Sequence, residues 1–218
     1  MAGYPREALW SYRWAGLDEN GNPLTYDAEG NKTDVPVAES VECNGSYRPK
    51  YSGSLSTDFK YKNLTLMFSF IYNFGHVFRV AYPTMDAGSV AKGCSANLSA
   101  FVGKRWRKPG DEAITDIPSI RTKDYKNNDR ASLAVYSSNS VRKGDFIRLR
   151  EITLNYELPQ LLVKKSPFAR VSLTAQANTV WMWTKNKEGF DPEAVDPVSG
   201  KLGLSEAPSF TFGLRVEF

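Results

Sequence analysis

The last ten residues, SFTFGLRVEF at positions 209–218, constrain the fold of this chain more than any other stretch. Apolar and polar residues alternate strictly here, which predicts an extended strand with one apolar face and one polar face. The length matches a strand that crosses a bilayer at a tilt, roughly 9–11 residues. The stretch therefore predicts a transmembrane β-strand with an aromatic end, and its alternative is an amphipathic strand of a soluble sandwich. Its apolar residues are Phe210, Phe212, Leu214, Val216 and Phe218.

Composition restricts how such a chain can meet a membrane. No stretch of the 218 residues approaches the roughly 18–20 apolar residues of a membrane helix, so a membrane location requires strands. Aromatic residues make up 13% of the chain, which is typical of barrels with aromatic girdles. The net charge is only +4, and acidic and basic residues are mixed throughout, so nothing indicates a nucleic-acid partner.

The same alternation recurs along the chain. It predicts six long strands, at 7–15, 51–61, 64–74, 144–158, 168–180 and 209–218. In the fourth strand the apolar parity changes above Glu151, which indicates either a strand whose upper part has left the apolar layer or a β-bulge. The apolar residues of the middle strands are predicted to face lipid: Leu64, Leu66, Phe68, Phe70, Ile152, Leu154, Tyr156, Val171 and Leu173.

Connection lengths give the topology. If the strands form an antiparallel up-and-down meander, every long connection falls at one end of the sheet and every short one at the other. This is the pattern of outer-membrane barrels, whose periplasmic turns are short and whose extracellular loops are long. Six strands do not close a membrane barrel, and the N-terminus lacks the pattern of a signal peptide. We therefore expect an all-β chain in which residues 1–218 are the C-terminal part of a larger barrel.

Sites for chemistry are sparse. His76 is the only histidine, and at a strand end it is expected to be an interfacial polar residue rather than part of a catalytic triad. No catalytic residue, cofactor site or metal site is predicted, and a disulfide between Cys43 and Cys94 stays open. The candidates for contact with a ligand or partner are Trp106, Arg105 and Arg107 in a basic loop. Trp181 and Trp183 fit either sugar stacking or an interfacial girdle, and the girdle is favoured.

Motifs spread over the chain resemble a known family. They are YRWAGLDENGNP (12–23), GSYRPKYSGSLSTDFKYKNLTLMFSFIYNFGH (45–76), WRKPGDE (106–112), GDFIRLREITLNYELP (144–159), NTVWMWTKNKEGFDPE (178–193) and PSFTFGLRVEF (208–218). In this order they resemble the C-terminal portion of the SusC/RagA-type TonB-dependent outer-membrane transporters of Bacteroidota. The resemblance implies a 22-stranded barrel with an N-terminal plug, of which these residues would be one part.

The resemblance also implies a function and partners. It implies an importer of large nutrients (a glycan, an oligosaccharide or a peptide) that works with a SusD-like lipoprotein lid and is energised by the TonB complex through the N-terminal part. The terminal strand would be the signal read by the barrel-assembly machinery. We expect a transport protein of the outer membrane and not an enzyme, and we expect that this segment alone does not transport. The alternative is a soluble or surface-exposed β-sandwich that binds carbohydrate.

Overall fold

The structure, a computed structural model, describes residues 3–81, 100–120, 129–164 and 167–218. The chain divides into two compact units. The loop unit comprises Met1–Arg48, Val77–Lys143 and Val195–Gly203, and the sheet unit comprises Pro49–His76, Gly144–Ala194 and Leu204–Phe218. None of the helices in the described ranges combines the length and the apolar character needed to cross a membrane.

Most of the regular elements described in both units are strands. In chain order they are β1 (Ala8–Tyr12), β2 (Trp14–Leu17), β3 (Pro23–Tyr26), β4 (Lys32–Thr33), β5 (Val41–Ser46), β6 (Tyr51–Tyr61), β7 (Leu64–Phe74), β8 (Val77–Arg79), β9 (Val141–Lys143), β10 (Phe146–Glu157), β11 (Arg170–Thr184) and β12 (Ser209–Glu217). Two short α-helices are described, α1 (Arg130–Tyr136) and α2 (Gln160–Val163). Single 3₁₀ turns occupy Ala38–Ser40, Ala100–Lys104, Asp111–Ala113, Ser138–Ser140 and Pro192–Ala194.

The sheet unit is a five-stranded antiparallel sheet in the order β12-β11-β10-β7-β6. Its strand bounds lie within a few residues of those predicted, because the alternation that marks these strands in the sequence is the alternation between the two faces of the sheet. The connections alternate as predicted: two residues after β6, a long segment after β7, a short one with α2 after β10, and a long one after β11. The antiparallel meander is therefore confirmed, with five strands rather than six.

The first predicted strand does not join this sheet. Residues 7–15 divide at Arg13 into β1, which pairs with β5, and β2, which pairs with β3. Each of these pairings contains one register shift. The aromatic residues whose alternation predicts one long strand are therefore divided between two short strands. Periodicity alone does not distinguish one long strand from two short strands joined by a bend.

The loop unit is built from short strands and turns. β2, β3 and β4 form one small sheet, β1 pairs with β5, and β8 pairs with β9. Its apolar core contains Leu9, Leu17, Phe78, Val80 and Leu133, all buried. The sequence also allows a short helix at about residues 87–103; this segment lies mainly outside the described residues, and so does Cys94. Cys43 lies half-buried in β5.

A β-bulge explains the change of parity in β10. Leu149 pairs with Phe70 and Glu151 pairs with Ser69, so β10 uses two steps where β7 uses one. The extra residue, Arg150, brings Ile147 and Leu149 back to the face that carries Ile152 and Leu154. Of the two alternatives in the sequence, the bulge is correct: the upper part of the strand stays in the apolar layer.

Candidate functional site: an exposed apolar sheet face

One face of the five-stranded sheet is apolar from edge to edge. The register places Phe68 opposite Ile152, Ile152 opposite Ala177, and Ala177 opposite Phe210. Phe212, for example, is 81% exposed. The large side chains of this face that are exposed in the chain include Tyr51, Leu55, Phe59, Tyr61, Leu64, Leu154, Tyr156, Leu173, Trp181, Trp183, Phe210, Phe212 and Leu214.

The size of this apolar face indicates a contact surface. Five strands about 4.8 Å apart, with a mean length of about 35 Å, cover on the order of 800 Å². Contiguous apolar patches on soluble monomers rarely exceed roughly 300–600 Å². Along β7, the ten steps from Leu64 to Phe74 span about 34 Å, and a tilt of about 40° reduces this to about 26 Å across a bilayer. That height matches the apolar band of membrane barrels, about 25 Å.

Aromatic side chains mark both ends of the apolar face. At the end where the long connections leave the sheet, Trp183 lies opposite Ile147 and Trp181 lies opposite Leu149. At the other end, the ring of Phe168 packs edge-on against Phe218, with 5.3 Å between the ring centroids. Rings at both ends of an apolar band are typical of side chains at membrane–water interfaces. For Trp181 and Trp183, the shared face supports the girdle interpretation over sugar stacking.

The opposite face of the sheet is polar. Hydroxyl and amide side chains bond to one another across neighbouring strands, as in the pairs Ser56–Ser69 (3.0 Å) and Thr174–Asn155 (3.3 Å). A sheet with one apolar and one hydrogen-bonding face can separate hydrocarbon from a polar interior.

A buried ion cluster lies on the polar face near the end with the long connections. The Arg148 guanidinium donates to Asp191 Oδ1 at 2.6 Å and reaches Glu193 Oε2 at 2.9 Å. The Arg148 and Asp191 side chains are only 3% and 5% exposed, whereas Glu193 is 42% exposed. Asp191 also accepts the Glu193 N–H at 3.0 Å. The cluster therefore fixes the turn after β11 to the strand β10.

Sequence reasoning missed this cluster. Asp191 and Glu193 stand in a Gly-Phe-Asp-Pro-Glu segment, where acidic residues are expected as turn formers. The available signal was the arginine itself, because Arg148 has the same parity as Phe146, which is buried. A cation at a buried strand position needs an acidic partner from another segment.

His76 belongs to a second polar group, at the junction of β7 and β10. Its ring packs edge-on near Phe146 and is buried, which lowers the pKa of His76, while the nearby Asp145 carboxylate opposes this shift. Partial burial would raise the pKa of Asp145, but the Gly75 N–H (2.7 Å) and the Lys185 ammonium (3.1 Å) outweigh it and lower that pKa. These contacts join the ends of the two strands, as expected for a residue with a structural role.

The basic loop around Trp106 is held by hydrogen bonds to nearby residues and by packing on Gly21. The Trp106 Nε1–H donates to Glu112 Oε2 at 3.0 Å, and its ring packs so closely on Gly21 that a Cβ there would lie 2.6 Å from Cδ2. A backbone hydrogen bond of Glu112 itself contributes most to lowering the pKa of Glu112, and the hydrogen bond from the Trp106 indole contributes next. Arg105 and Arg107 donate to backbone carbonyls of the preceding turn, at 2.7 and 2.9 Å. One face of Trp106 is thus covered, and Arg107 is the exposed member of the three candidates.

Residues that are distant in sequence meet at the turn around Gly21. Arg130 is buried, and its guanidinium donates to Asn22 Oδ1 (2.8 Å), to the Gly21 carbonyl (3.1 Å) and to the Ser119 carbonyl (2.6 Å). Asp18 accepts backbone N–H groups within the same turn, including that of Asn22 at 2.7 Å, which is the hydrogen-bonding pattern of an Asx turn. Among the described residues, no group of three or more acidic, His or Cys side chains is arranged to hold a metal ion.

The predicted assembly-signal residues lie on an edge strand. β12 pairs only with β11 in the sheet, and its apolar residues Phe210, Phe212 and Leu214 are exposed on the apolar face. Val216 is half-buried opposite Val171, and Phe218 is exposed beside Phe168. Their recognition by an assembly machine stays a prediction.

Comparison with known proteins identifies relatives. The chain is 32% identical over 206 residues to TonB-dependent receptor P39 of Formosa agariphila, covering 91% of this chain and 19% of that protein. It is 24% identical over 215 residues to TonB-dependent receptor P3 of the same organism, covering 94% of this chain and 20% of that protein. No protein-family model matches the sequence.

Solved structures share the fold. A structure of the RagAB peptide transporter matches 97% of this chain and 23% of its own chain, with a TM-score of 0.70 and 24% identity. The open-open state of the RagAB peptide importer matches with a TM-score of 0.68, covering 96% of this chain and 22% of its own. The chain spans about a fifth of the length of the relatives that it matches. The resemblance to TonB-dependent receptors that the sequence motifs predict is confirmed.

Proposed function

We propose that this chain, which is related to TonB-dependent receptors, forms part of the wall of a β-barrel in the bacterial outer membrane. The observation that carries the proposal is the exposed apolar face of the five-stranded sheet, backed by a polar face. Such a face is costly in water, and its height fits the hydrocarbon layer. On this proposal, the side chains of the apolar face contact lipid and those of the other face line the barrel interior.

The two edges of the sheet require further strands. β6 and β12 each pair on one side only within the described sheet, and unpaired backbone groups are not tolerated in hydrocarbon. Because the chain spans about a fifth of its relatives' length, the missing partners fit other strands of the same protein. We therefore propose that residues 1–218 are part of a closed barrel. The resemblance to the SusC/RagA-type transporters implies that this barrel has 22 strands and follows an N-terminal plug.

The whole protein is proposed to import a large nutrient. Its relatives are named receptors, and the solved proteins of the same fold are described as a peptide importer. A glycan, an oligosaccharide or a peptide remains the proposed cargo, moved by a transporter and not converted by an enzyme. The proposed partners are a SusD-like lipoprotein lid, the TonB complex acting through the N-terminal part, and the barrel-assembly machinery, which would read β12.

The basic loop is the proposed contact with cargo or lid. Lys104, Arg107 and Lys108 are exposed there, and they suit an acidic surface or anionic groups. Trp106 is better explained as the residue that anchors this loop to Gly21 than as a platform for sugar rings. The soluble carbohydrate-binding sandwich is less well supported, because a sandwich needs a second sheet over the apolar face, and residues such as Phe212 are exposed there.

Arginine placed on alternate faces of one strand tests this function. In the full-length receptor, Phe68→Arg puts a cation on the apolar face near the middle of β7, and Ser69→Arg puts it on the polar face. A cation at the bilayer midplane of a barrel costs about 2–4 kcal/mol of folding free energy. Ser69→Arg loses the Ser56–Ser69 hydrogen bond, which is worth about 1 kcal/mol. The measurement is the folding free energy in phospholipid vesicles.

Leu154→Arg and Thr153→Arg provide the same matched pair on β10. If the apolar-face and polar-face variants lose equal stability, the assignment of the lipid face is wrong. Recovery of the wild-type receptor in the soluble fraction, rather than in outer membranes, would contradict the proposed location.

A further inference from the structure

The short connection between β10 and β11 exposes two leucines that the barrel wall does not explain. It carries the helix α2, whose sequence is QLLV. Leu161 is 79% exposed and Leu162 is 65% exposed, whereas Val163 beside them is 5% exposed. Two backbone hydrogen bonds define this turn: the Leu162 N–H donates to the Pro159 carbonyl, and the Lys164 N–H donates to the Gln160 carbonyl, both at 2.9 Å. The turn is thus ordered by its backbone and by Val163, and the leucines make no contribution to a buried core.

The connection continues directly from the apolar face of the sheet. The Leu158 N–H donates to the Val171 carbonyl at 2.9 Å, so the ladder of hydrogen bonds extends to the residue before Pro159. Tyr156, two residues earlier, belongs to the apolar face and lies opposite Leu173. The edge-on ring pair of Phe168 and Phe218 lies at this same end of the sheet. The two exposed leucines therefore follow immediately after the aromatic end of the face.

A cation completes the pattern. Lys164 directly follows α2 and is exposed. Leucines beside a lysine suit the boundary between acyl chains and headgroups, because leucine partitions into the acyl region while the ammonium reaches the phosphates. Anionic lipid surfaces attract such lysines.

We propose that α2 is a membrane-interface anchor: Leu161 and Leu162 enter the headgroup–acyl boundary of the periplasmic leaflet, and Lys164 binds lipid phosphates. The leaflet follows from the topology, because α2 lies at the end with the short connections, which is periplasmic in outer-membrane barrels. This inference rests on the proposed function, since it needs the apolar face to meet lipid. It goes further by giving a connection outside the strands a lipid-binding role.

Depth-dependent fluorescence quenching in the full-length receptor tests the anchor. The receptor, freed of native cysteines, is reconstituted in vesicles of phosphatidylethanolamine and phosphatidylglycerol with a bimane label at Leu161→Cys or Leu162→Cys. The quenchers are lipids with a nitroxide near the headgroup, lipids with a nitroxide deep in the chain, and aqueous iodide. A label at Leu204→Cys, which is almost fully exposed in the connection after β11, is the aqueous control.

The anchor predicts that the shallow nitroxide quenches the labels at 161 and 162 more strongly than the deep one does. With iodide present on both sides of the vesicle membrane, the anchor also predicts a several-fold lower iodide quenching constant at these sites than at 204. Labels that iodide reaches as readily as at 204 would overturn the anchor, and so would labels shielded from both iodide and lipid, which would indicate a protein occupant.

A label at Phe68→Cys separates the anchor from the proposed function. The deep nitroxide should quench this label, because Phe68 lies near the middle of β7 on the apolar face. Quenching at 68 without lipid quenching at 161 and 162 would refute the anchor and leave the barrel wall intact. No lipid quenching at 68 would refute the barrel wall itself.

Discussion

Replacing Arg148 of β10 by methionine should strongly loosen the turn after β11, although the two segments are far apart in sequence. The substitution keeps the aliphatic length of the side chain but leaves the buried Asp191 carboxylate without its 2.6 Å partner. Removing one member of a buried ion pair costs about 3–5 kcal/mol, because the remaining charge is uncompensated. Asp191 keeps the Glu193 N–H at 3.0 Å, so we expect the lower part of this range.

Hydrogen exchange of residues 186–194 in the full-length receptor measures this cost locally. The Phe190 N–H donates to Asn186 Oδ1 at 2.7 Å and exchanges when the turn opens. Because about 1.4 kcal/mol is a factor of ten in an equilibrium constant, a loss of about 3 kcal/mol accelerates exchange by roughly two orders of magnitude.

Arg150→Met is the matched control on the same strand. Arg150 is half-exposed and lies 3.6 Å from Glu206, which is also half-exposed. Exposed pairs are worth about 0–1 kcal/mol, so exchange should change by no more than about fivefold. Adding Asp191→Asn to Arg148→Met should recover most of the loss, because no buried charge remains. Equal effects of Arg148→Met and Arg150→Met, or no recovery in the double variant, would refute the role of the buried pair.

Two further changes test the other contact networks. Gly21→Ala should destabilise the loop unit by about 1–3 kcal/mol from its positive φ of 75°, and by more from the overlap with Trp106. Gly30→Ala has a similar positive φ of 88° but open space around it, so it should cost the backbone penalty alone. Faster trypsin cleavage at 104–108 in Gly21→Ala than in Gly30→Ala is the expected result, and equal cleavage would contradict the packing argument. Burial lowers the pKa of His76 below 6.5, so the unfolded chain binds more protons than the folded one, and stability should fall as pH decreases through and below that value. The free energy of unfolding in urea should therefore be lower at about pH 5.5 than at about pH 7.5, and His76→Asn should reduce this difference. An unchanged pH dependence in His76→Asn would exclude His76 as its source.

The long strands and their two faces can be predicted from the sequence alone. The side chains of β6, β7 and β12 alternate because successive residues of a strand point to opposite sides, so their bounds and faces are visible without coordinates. The alternation of long and short connections likewise fixed the direction of each strand. Local periodicity is enough for these features, since each depends on residues close together in the chain.

Local periodicity was not enough for the first strand. Residues 7–15 show the same alternation as the others, but Ala8–Tyr12 pairs with Val41–Ser46 and not with the sheet. Which strand pairs with which is decided by contacts between distant segments. Similarly, the parity change near Glu151 left two alternatives, and only the pairing with Ser69 and Phe70 identified the bulge that keeps the apolar face continuous.

The roles of several charged and aromatic residues depend on contacts that are visible only in three dimensions. Arg148 meets Asp191 across 43 positions, and Arg130 meets Asn22 across 108; no spacing rule in the sequence announces such partners. The sequence suggests Trp106 as a contact for a ligand, but in the structure its ring packs against Gly21. The terminal stretch 209–218 shows both sides of this division: its alternation predicted an amphipathic strand, and its place at the edge of an apolar sheet came from its pairing with β11.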